Sequence, residues 1–135
     1  MKRVLDASVI LKWFLGDRPG EEHVSEAMDL FHRIQEGDDE VFVPLHWCAE
    51  VLSVLARIRP DQIDTMSDLT DLVALTVVDN WSIYRRAAKM SVALDHHLFD
   101  TLYHAVALEL DAELITADKK YFNKARDLGA IALLG

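Results

Sequence analysis

Four acidic residues stand where carboxylates could act together. Asp6 directly follows a short apolar run, and Asp118 follows the apolar segment 113–116 with one residue between them. Glu50 and Asp100 lie within stretches that are otherwise rich in apolar side chains. Because charged residues are rarely buried unless they are paired or bound to metal, these four residues are candidates for a shared site.

Converging carboxylates indicate a particular chemistry. Their negative charges would repel one another, and a divalent cation could neutralise them. Hard oxygen ligands suit Mg²⁺ or Mn²⁺, and Mg²⁺ is commonly shared with substrate phosphates. Such a site can deprotonate water and stabilise the leaving oxygen of a phosphodiester, so the pattern favours metal-assisted hydrolysis.

Each of the four acids could instead have a purely structural role. Asp6 and Asp118 both precede helical stretches, where aspartate is a preferred N-cap. Glu50 and Asp100 could instead occupy the solvated faces of their helices. Both interpretations are kept as hypotheses at this stage.

The elements that must position these residues alternate along the chain. Short β-branched runs predict strands at residues 3–5, 40–43, 76–78, 113–116 and 130–134. Helical patterns separate and follow them, at residues 8–15, 21–35, 45–58, 60–72, 81–93, 98–110 and 119–128. This alternation is typical of parallel βαβ units.

We therefore predict a single α/β domain over residues 1–135, in which helices cover both faces of a central parallel sheet of five strands. In open sheets of this kind, ligands bind beyond the carboxyl ends of the strands. Asp6 and Asp118 each follow a predicted strand, so we expect them at the same edge of the sheet.

Composition and charge limit the possible functions. The chain has 51% apolar and 27% charged residues, which excludes a fully disordered protein. A net charge of −9 argues against a protein that coats nucleic acid electrostatically, but not against an enzyme that uses bound cations and a local basic rim. The single cysteine fits a reducing cytoplasm, and no apolar run reaches the ~18 residues of a membrane helix. We expect a cytoplasmic protein with no membrane contact.

Four segments carry a resemblance to a known family. Residues 4–14, VLDASVILKWF, look like the first motif of PIN-domain nucleases, and residues 49–55, AEVLSVL, resemble the second. Residues 99–107, FDTLYHAVA, and 114–118, LITAD, are similar to the third and fourth motifs. The correspondence spans nearly the whole chain, and the length most resembles VapC-type toxins of toxin–antitoxin pairs.

This resemblance implies a PIN-like three-layer fold and a Mg²⁺- or Mn²⁺-dependent endoribonuclease that a small antitoxin protein blocks. The acidic motif positions, which hold metal in the family, match Asp6, Glu50, Asp100 and Asp118. Two small hydroxyl positions that help to orient ligands or water match Ser8 and Thr116. Where the family commonly has alanine, this chain has Thr101.

Further residues are candidates for contacts with partners. Lys119 and Lys120 directly follow Asp118, so they are the best candidates to meet RNA phosphates. Trp13 and Phe14 are core residues by default, but they could instead border an apolar groove for the antitoxin. A symmetric homodimer is the expected oligomer.

His104 is a further candidate for the site, and two other functions are compatible with the chain. Asp100 and His104 share a helix face at i, i+4 spacing, although a supporting or packing role for His104 is commoner than metal contact. One rival function is a non-catalytic partner-binding module with a structural cation site. The other is a receiver-like signalling domain, but the early pair of acids and the strand-end lysine expected of such a domain are missing.

Overall fold

The computed structural model describes residues 1–135. Five strands are present: β1 Lys2–Leu5, β2 Glu40–Pro44, β3 Leu75–Val78, β4 Glu113–Thr116 and β5 Ile131–Leu133. They form one sheet in the order β3–β2–β1–β4–β5, and every pairing is parallel. The predicted parallel sheet of five strands is confirmed.

Eight helices surround the sheet. They are α1 Ala7–Ile10, α2 Lys12–Leu15, α3 Val24–Gln35, α4 Trp47–Ile58, α5 Ile63–Thr70, α6 Trp81–Leu94, α7 Leu98–Leu110 and α8 Lys119–Ala125. Short 3₁₀ turns at Pro60–Gln62 and Arg126–Leu128 precede α5 and follow α8. None of the helices combines the length and the apolar content that a membrane-spanning segment needs.

Helix boundaries differ from the prediction at particular residues. The helix predicted at 21–35 begins only at Val24, because His23 is in the left-handed conformation with φ 55° and cannot continue a right-handed helix. The segment predicted as one helix at 8–15 forms α1 and α2, which are joined through Leu11. These changes leave the predicted order of elements intact.

Helices cover both faces of the sheet at its centre. β1 lies between β2 and β4, and the consecutive residues Val4 and Leu5 are both fully buried. Because successive side chains in a strand point to opposite faces, burial of both residues requires cover on both sides. Helix α7 contacts β1, β2 and β4, so the sequence around Asp100 is held against the middle of the sheet.

An arginine cluster binds a buried acid at the amino edge of the sheet. Asp39, just before β2, is 4% exposed and accepts hydrogen bonds from Arg33 Nε at 2.8 Å and from Arg3 Nε at 2.9 Å. The Arg33 guanidinium holds the pKa of Asp39 below its ordinary value, and the charge of Arg3 acts in the same direction against burial. This acid is therefore neutralised by direct ion pairs.

Candidate active site

The carboxyl edge of the sheet begins with Asp6, directly after β1. The Asp6 N–H donates to Ile115 O at 3.0 Å, which places the ends of β1 and β4 side by side. Asp6 Oδ2 accepts from Ser8 N at 3.1 Å, from Ser8 Oγ at 2.5 Å and from Thr116 Oγ1 at 3.4 Å. The two hydroxyls predicted to support the site thus both contact Asp6, which also serves as the N-cap of α1.

Two further acids reach the same edge from helices. Glu50 lies in the first turn of α4 and Asp100 in the first turn of α7. The pKa of Asp6 is raised to about 6: burial is the largest cause, the Ser8 hydrogen bonds oppose it, and the negative charges of Asp100 and Glu50 add to it. The structure therefore brings three of the four predicted acids within electrostatic range of one another.

Asp118, the fourth predicted acid, lies just after β4 and is held by hydrogen bonds of its N–H and its carboxylate. Its N–H donates to Thr116 Oγ1 at 3.1 Å, and its Oδ1 accepts from Tyr121 N at 3.1 Å as the N-cap of α8. Thr116 Oγ1, which donates to Asp6 Oδ2, thus also contacts Asp118. The capping interpretation is correct for both Asp6 and Asp118.

Capping uses only one oxygen of each aspartate. The hydrogen bonds of Asp6 go to Oδ2 and those of Asp118 go to Oδ1, so the other oxygen of each is free. Asp100 likewise has one engaged oxygen, Oδ2, and Glu50 Oε1 is buried 2.8 Å from His46 Nε2. A free oxygen on each of the three aspartates suits an oxygen-ligated cation.

The geometry of the set fits a cation only in part. The hard oxygen donors of the set, among them the buried Glu50 Oε1, favour a divalent metal ion. However, no three His, Cys, Asp or Glu side chains converge closely enough to ligate one ion in this structure. The acids share an edge but do not form a closed ligand cluster.

Tyr103 lies beneath these acids and was not singled out from the sequence. Its side chain is fully buried. Burial raises the pKa of the Tyr103 phenol, the charge of Glu50 and a hydrogen bond to its carboxylate raise it further, and the charges of Asp6 and Asp100 act in the same direction. The hydroxyl therefore faces the acids from the protein interior. An aromatic residue in an apolar helix gives no signal of this role in sequence.

Two histidines that were not predicted from the sequence lie beside acids of the site. His46 Nε2 lies 2.8 Å from Glu50 Oε1, but its hydrogen bond goes to Phe99 O at 3.0 Å. His96 Nε2 is 2.6 Å from Asp100 Oδ2. Each histidine precedes its acid by four residues, so the i, i+4 spacing is the one signal in the sequence that could have indicated these contacts.

His104, which the sequence placed on the same helix face as Asp100, has a packing role. Its side chain is fully buried, its Nε2 donates to Gly129 O at 2.7 Å, and its Nδ1 accepts from the Tyr121 hydroxyl at 2.9 Å. Burial lowers the pKa of His104, which favours the neutral ring. Both ring nitrogens are occupied away from Asp100.

Trp13 and Phe14 do not border a groove. They are 8% and 3% exposed, and Trp13 Nε1 donates to Ala27 O at 2.9 Å. The Trp13 ring also packs edge-on against Phe31 at a centroid distance of 5.2 Å. These two residues belong to the core between α2 and α3, so their suggested contact with an antitoxin needs correction.

Lys119 and Lys120 are exposed at the start of α8. Lys120 also lines an open cleft of about 510 Å³ together with Lys124, His97 and His96. Because His96 contacts Asp100, this cleft adjoins the acidic edge. A basic rim beside the acids is therefore present on an otherwise acidic protein.

Replacing Asp6 with asparagine should stabilise the protein in buffer without divalent cations. At neutral pH the raised pKa of Asp6 costs stability, since the folded state holds its proton more tightly than the unfolded chain. We expect Asp6→Asn to unfold with a free energy about 1–3 kcal/mol above wild type at pH 7.5. The difference should shrink as the pH falls from about 6 towards 4, where wild-type Asp6 gains its proton. Denaturant melts in EDTA across this range measure it, and a variant less stable than wild type at pH 7.5 would contradict it.

Comparison with known proteins agrees with this architecture. The family model described as the PIN domain matches residues 3–128. A toxin–antitoxin complex from Klebsiella pneumoniae contains a similar chain, 16% identical, with a TM-score of 0.67 and coverage of 96% of this chain and 95% of that one. VapBC-1 from nontypeable Haemophilus influenzae is 20% identical, with a TM-score of 0.64 and coverage of 98% and 96%.

A third solved structure, FitAcB from Neisseria gonorrhoeae, is 20% identical with a TM-score of 0.64 and coverage of 98% and 96%. No curated protein is significantly similar to the chain in sequence. At these identities the solved structures establish the fold, and the family model spans nearly every element from β1 to the end of the turn after α8. As its sequence motifs predicted, the chain belongs to the PIN-domain family.

Proposed function

We propose that this protein is a Mg²⁺- or Mn²⁺-dependent endoribonuclease and the toxin of a toxin–antitoxin pair. PIN domains are generally nucleases. One observation carries the proposal: Asp6, Glu50 and Asp100 gather at the carboxyl edge of the sheet with no Lys or Arg ion pair. The buried Asp39 at the opposite edge is paired with two arginines, so a set of acids without a Lys or Arg partner distinguishes this edge.

The divalent cation would be held by Asp6, Glu50, Asp100 and Asp118 through their free oxygens. When bound, such a cation lowers the pKa of water and offsets the charge that develops on the phosphodiester oxygens. Ser8 and Thr116 fix Asp6 through Oδ2, which keeps its other oxygen available. The Ser8 hydroxyl is itself engaged between Asp6 and the Ala117 N–H, so it is not a free nucleophile.

The RNA backbone should approach over the cleft that adjoins Asp100. Lys120 is exposed at its wall, whereas Lys124 donates to Asp95 O at 2.8 Å and is partly committed to the fold. Lysine ammonium groups bind phosphates as point charges and give no base selectivity. We propose that Lys120, with neighbouring Lys119, holds the substrate backbone beside the acids.

The antitoxin should cover the site from the side of Phe99. Phe99 and Leu45 are 59% and 57% exposed, and the His46 ring, which lies beside Glu50, packs against Phe99 at a centroid distance of 5.2 Å. A partner that lays apolar side chains here and extends a basic residue to the acids would match both the surface and its charge. The solved relatives are toxin–antitoxin complexes, which supports a protein partner. The homodimer remains a separate proposal that sedimentation analysis would test.

RNA cleavage by the purified protein tests the catalytic proposal. We expect cleavage with Mg²⁺ or Mn²⁺, none in EDTA, and a loss of at least about 100-fold in Asp6→Asn and Asp100→Asn. Asp68→Asn removes the same charge from an exposed position on α5 and should behave as wild type. Cleavage in EDTA would contradict metal dependence. Mg²⁺ binding without cleavage of any RNA would favour the rival module with a structural cation. Membership of the PIN family excludes the receiver-like rival.

Substitution of Lys120 separates substrate binding from chemistry. Lys120→Gln should raise KM several-fold with little change in kcat, because a phosphate contact is lost equally from the ground and transition states. The salt dependence of binding should also weaken. Lys2→Gln, an exposed lysine at the amino end of β1, is the matched control. An unchanged KM for Lys120→Gln would place the RNA elsewhere.

The antitoxin proposal is tested with the protein encoded by the neighbouring reading frame. Stoichiometric addition of that protein should abolish cleavage, and Phe99→Glu should weaken the complex at least 10-fold, since it puts a charge into an apolar contact. Trp81→Glu changes an aromatic residue that is 76% exposed at the start of α6 and serves as the control. Equal affinities of both variants would show that the partner binds another surface.

A further inference from the structure

His96 holds one of the acids from outside its helix. Its Nε2 lies 2.6 Å from Asp100 Oδ2, and its side chain is 7% exposed. This contact occupies one carboxylate oxygen and leaves Asp100 Oδ1 without a hydrogen bond in the protein. We propose that His96 is a positioning residue: by donating from Nε2 to Oδ2, it fixes the Asp100 carboxylate so that Oδ1 is available to the divalent cation. The inference rests on the proposed function.

The backbone that carries His96 is fastened at several points. Asp95, which follows the last residue of α6, is in the left-handed conformation with φ 50° and ψ 57°, which residues other than glycine adopt only infrequently. Lys124 Nζ donates to Asp95 O at 2.8 Å, His96 N donates to Ser91 O at 3.1 Å, and the Ser91 hydroxyl donates to His96 O. Contacts from α6 and α8 therefore fix the turn from which the His96 ring extends.

The ring itself lies against Tyr121. The two rings are 4.9 Å apart at their centroids with an angle of 56° between their planes, and Tyr121 is 2% exposed. The Tyr121 hydroxyl donates to His104, which donates to Gly129 O. The Tyr121 N–H is capped by Asp118. The surface that orients His96 is thus linked to a second acid of the site.

The helix cap of α7 is arranged around this contact. An acid at the third helical position, where Asp100 lies, often reaches back to the backbone N–H of the N-cap residue. Here the N-cap residue His97 makes no side-chain cap, and the Asp100 carboxylate accepts from the His96 ring instead. The carboxylate is therefore oriented by the His96 side chain and not by a bond to the N-cap backbone.

His46 shows that sequence spacing alone does not create such a pair. It also precedes an acid by four residues, and its Nε2 is 2.8 Å from Glu50 Oε1. Its Nε2 also lies 3.0 Å from Phe99 O and hydrogen-bonds to that carbonyl. His96 Nε2, in contrast, has Asp100 as its only hydrogen-bond partner.

Three substitutions of His96 test this role. Glutamine places its amide nitrogen near the position of Nε2, asparagine is too short to do so, and phenylalanine keeps the ring on Tyr121 but removes the donor. His32→Phe, at an exposed histidine on α3 that does not line the cleft, is the matched control. The measurements are Mg²⁺ affinity by calorimetry on the protein without RNA, kcat and KM for RNA cleavage, and thermal melts.

We expect His96→Phe and His96→Asn to lose about 10- to 100-fold in Mg²⁺ affinity and in kcat, with a smaller change in KM. His96→Gln should stay within about 3-fold of wild type, because it keeps a donor near the position of Nε2. His32→Phe should do the same, because His32 lies outside the cleft. A purely structural histidine would instead change the melting temperature without separating Gln from Asn.

Equal Mg²⁺ affinity and kcat in wild type and His96→Phe would overturn the proposal, and so would equal values for the Gln and Asn variants. The Gln and Asn comparison decides the matter even if the Phe variant does not fold. A wild type that binds no Mg²⁺ and cleaves no RNA would overturn the proposed function itself, and this role of His96 with it. A wild type that binds and cleaves, combined with insensitive variants, would overturn only the role of His96.

Discussion

Burial of an acid close to two other carboxylates, at the carboxyl edge of the sheet, is the constraint around which the structure is organised. Burial is the largest cause that raises the pKa of Asp6 to about 6, and repulsion from the charges of Asp100 and Glu50 contributes in the same direction. No arginine or lysine relieves this repulsion. The acids stay together because the buried centre of β1, its pairing with β4 and the packing of α7 fix their backbones. Packing energy from the core thus maintains a site that is unfavourable by itself.

At this edge, Asp6 and Asp118 can serve both the fold and a ligand because each has two carboxylate oxygens. Asp6 and Asp118 each cap a helix with one oxygen, and the caps supply acceptors for backbone N–H groups that would otherwise lack them. The remaining oxygen of each residue is available to a ligand. A helix cap and a metal ligand are therefore compatible roles for one aspartate, so the two hypotheses drawn from the sequence were not true alternatives.

The sequence predicted the fold and the acidic edge because both depend on local patterns. β-branched runs mark the strands, and an acid directly after a strand must lie at its carboxyl end. The role of His96 could not be predicted, because it depends on the left-handed turn at Asp95 and on Tyr121, which arrives from α8. His104 has the same spacing from Asp100 but is turned away by contacts made only in the fold. The burial of Trp13 likewise follows from the packing of α2 on α3.

The same electrostatics govern how a polyanion can reach this protein. A net charge of −9 repels nucleic acid at long range, and the uncompensated acids repel it most strongly where catalysis would occur. Lys120 and Lys124 beside the cleft offer only local attraction. A phosphodiester could therefore come into contact with Asp6 and Asp100 only if positive charge lay between them and the phosphate. On physical grounds, a divalent cation held by these acids would supply that positive charge as well as the chemistry of hydrolysis, so substrate binding and catalysis at this edge would both depend on the same carboxylates.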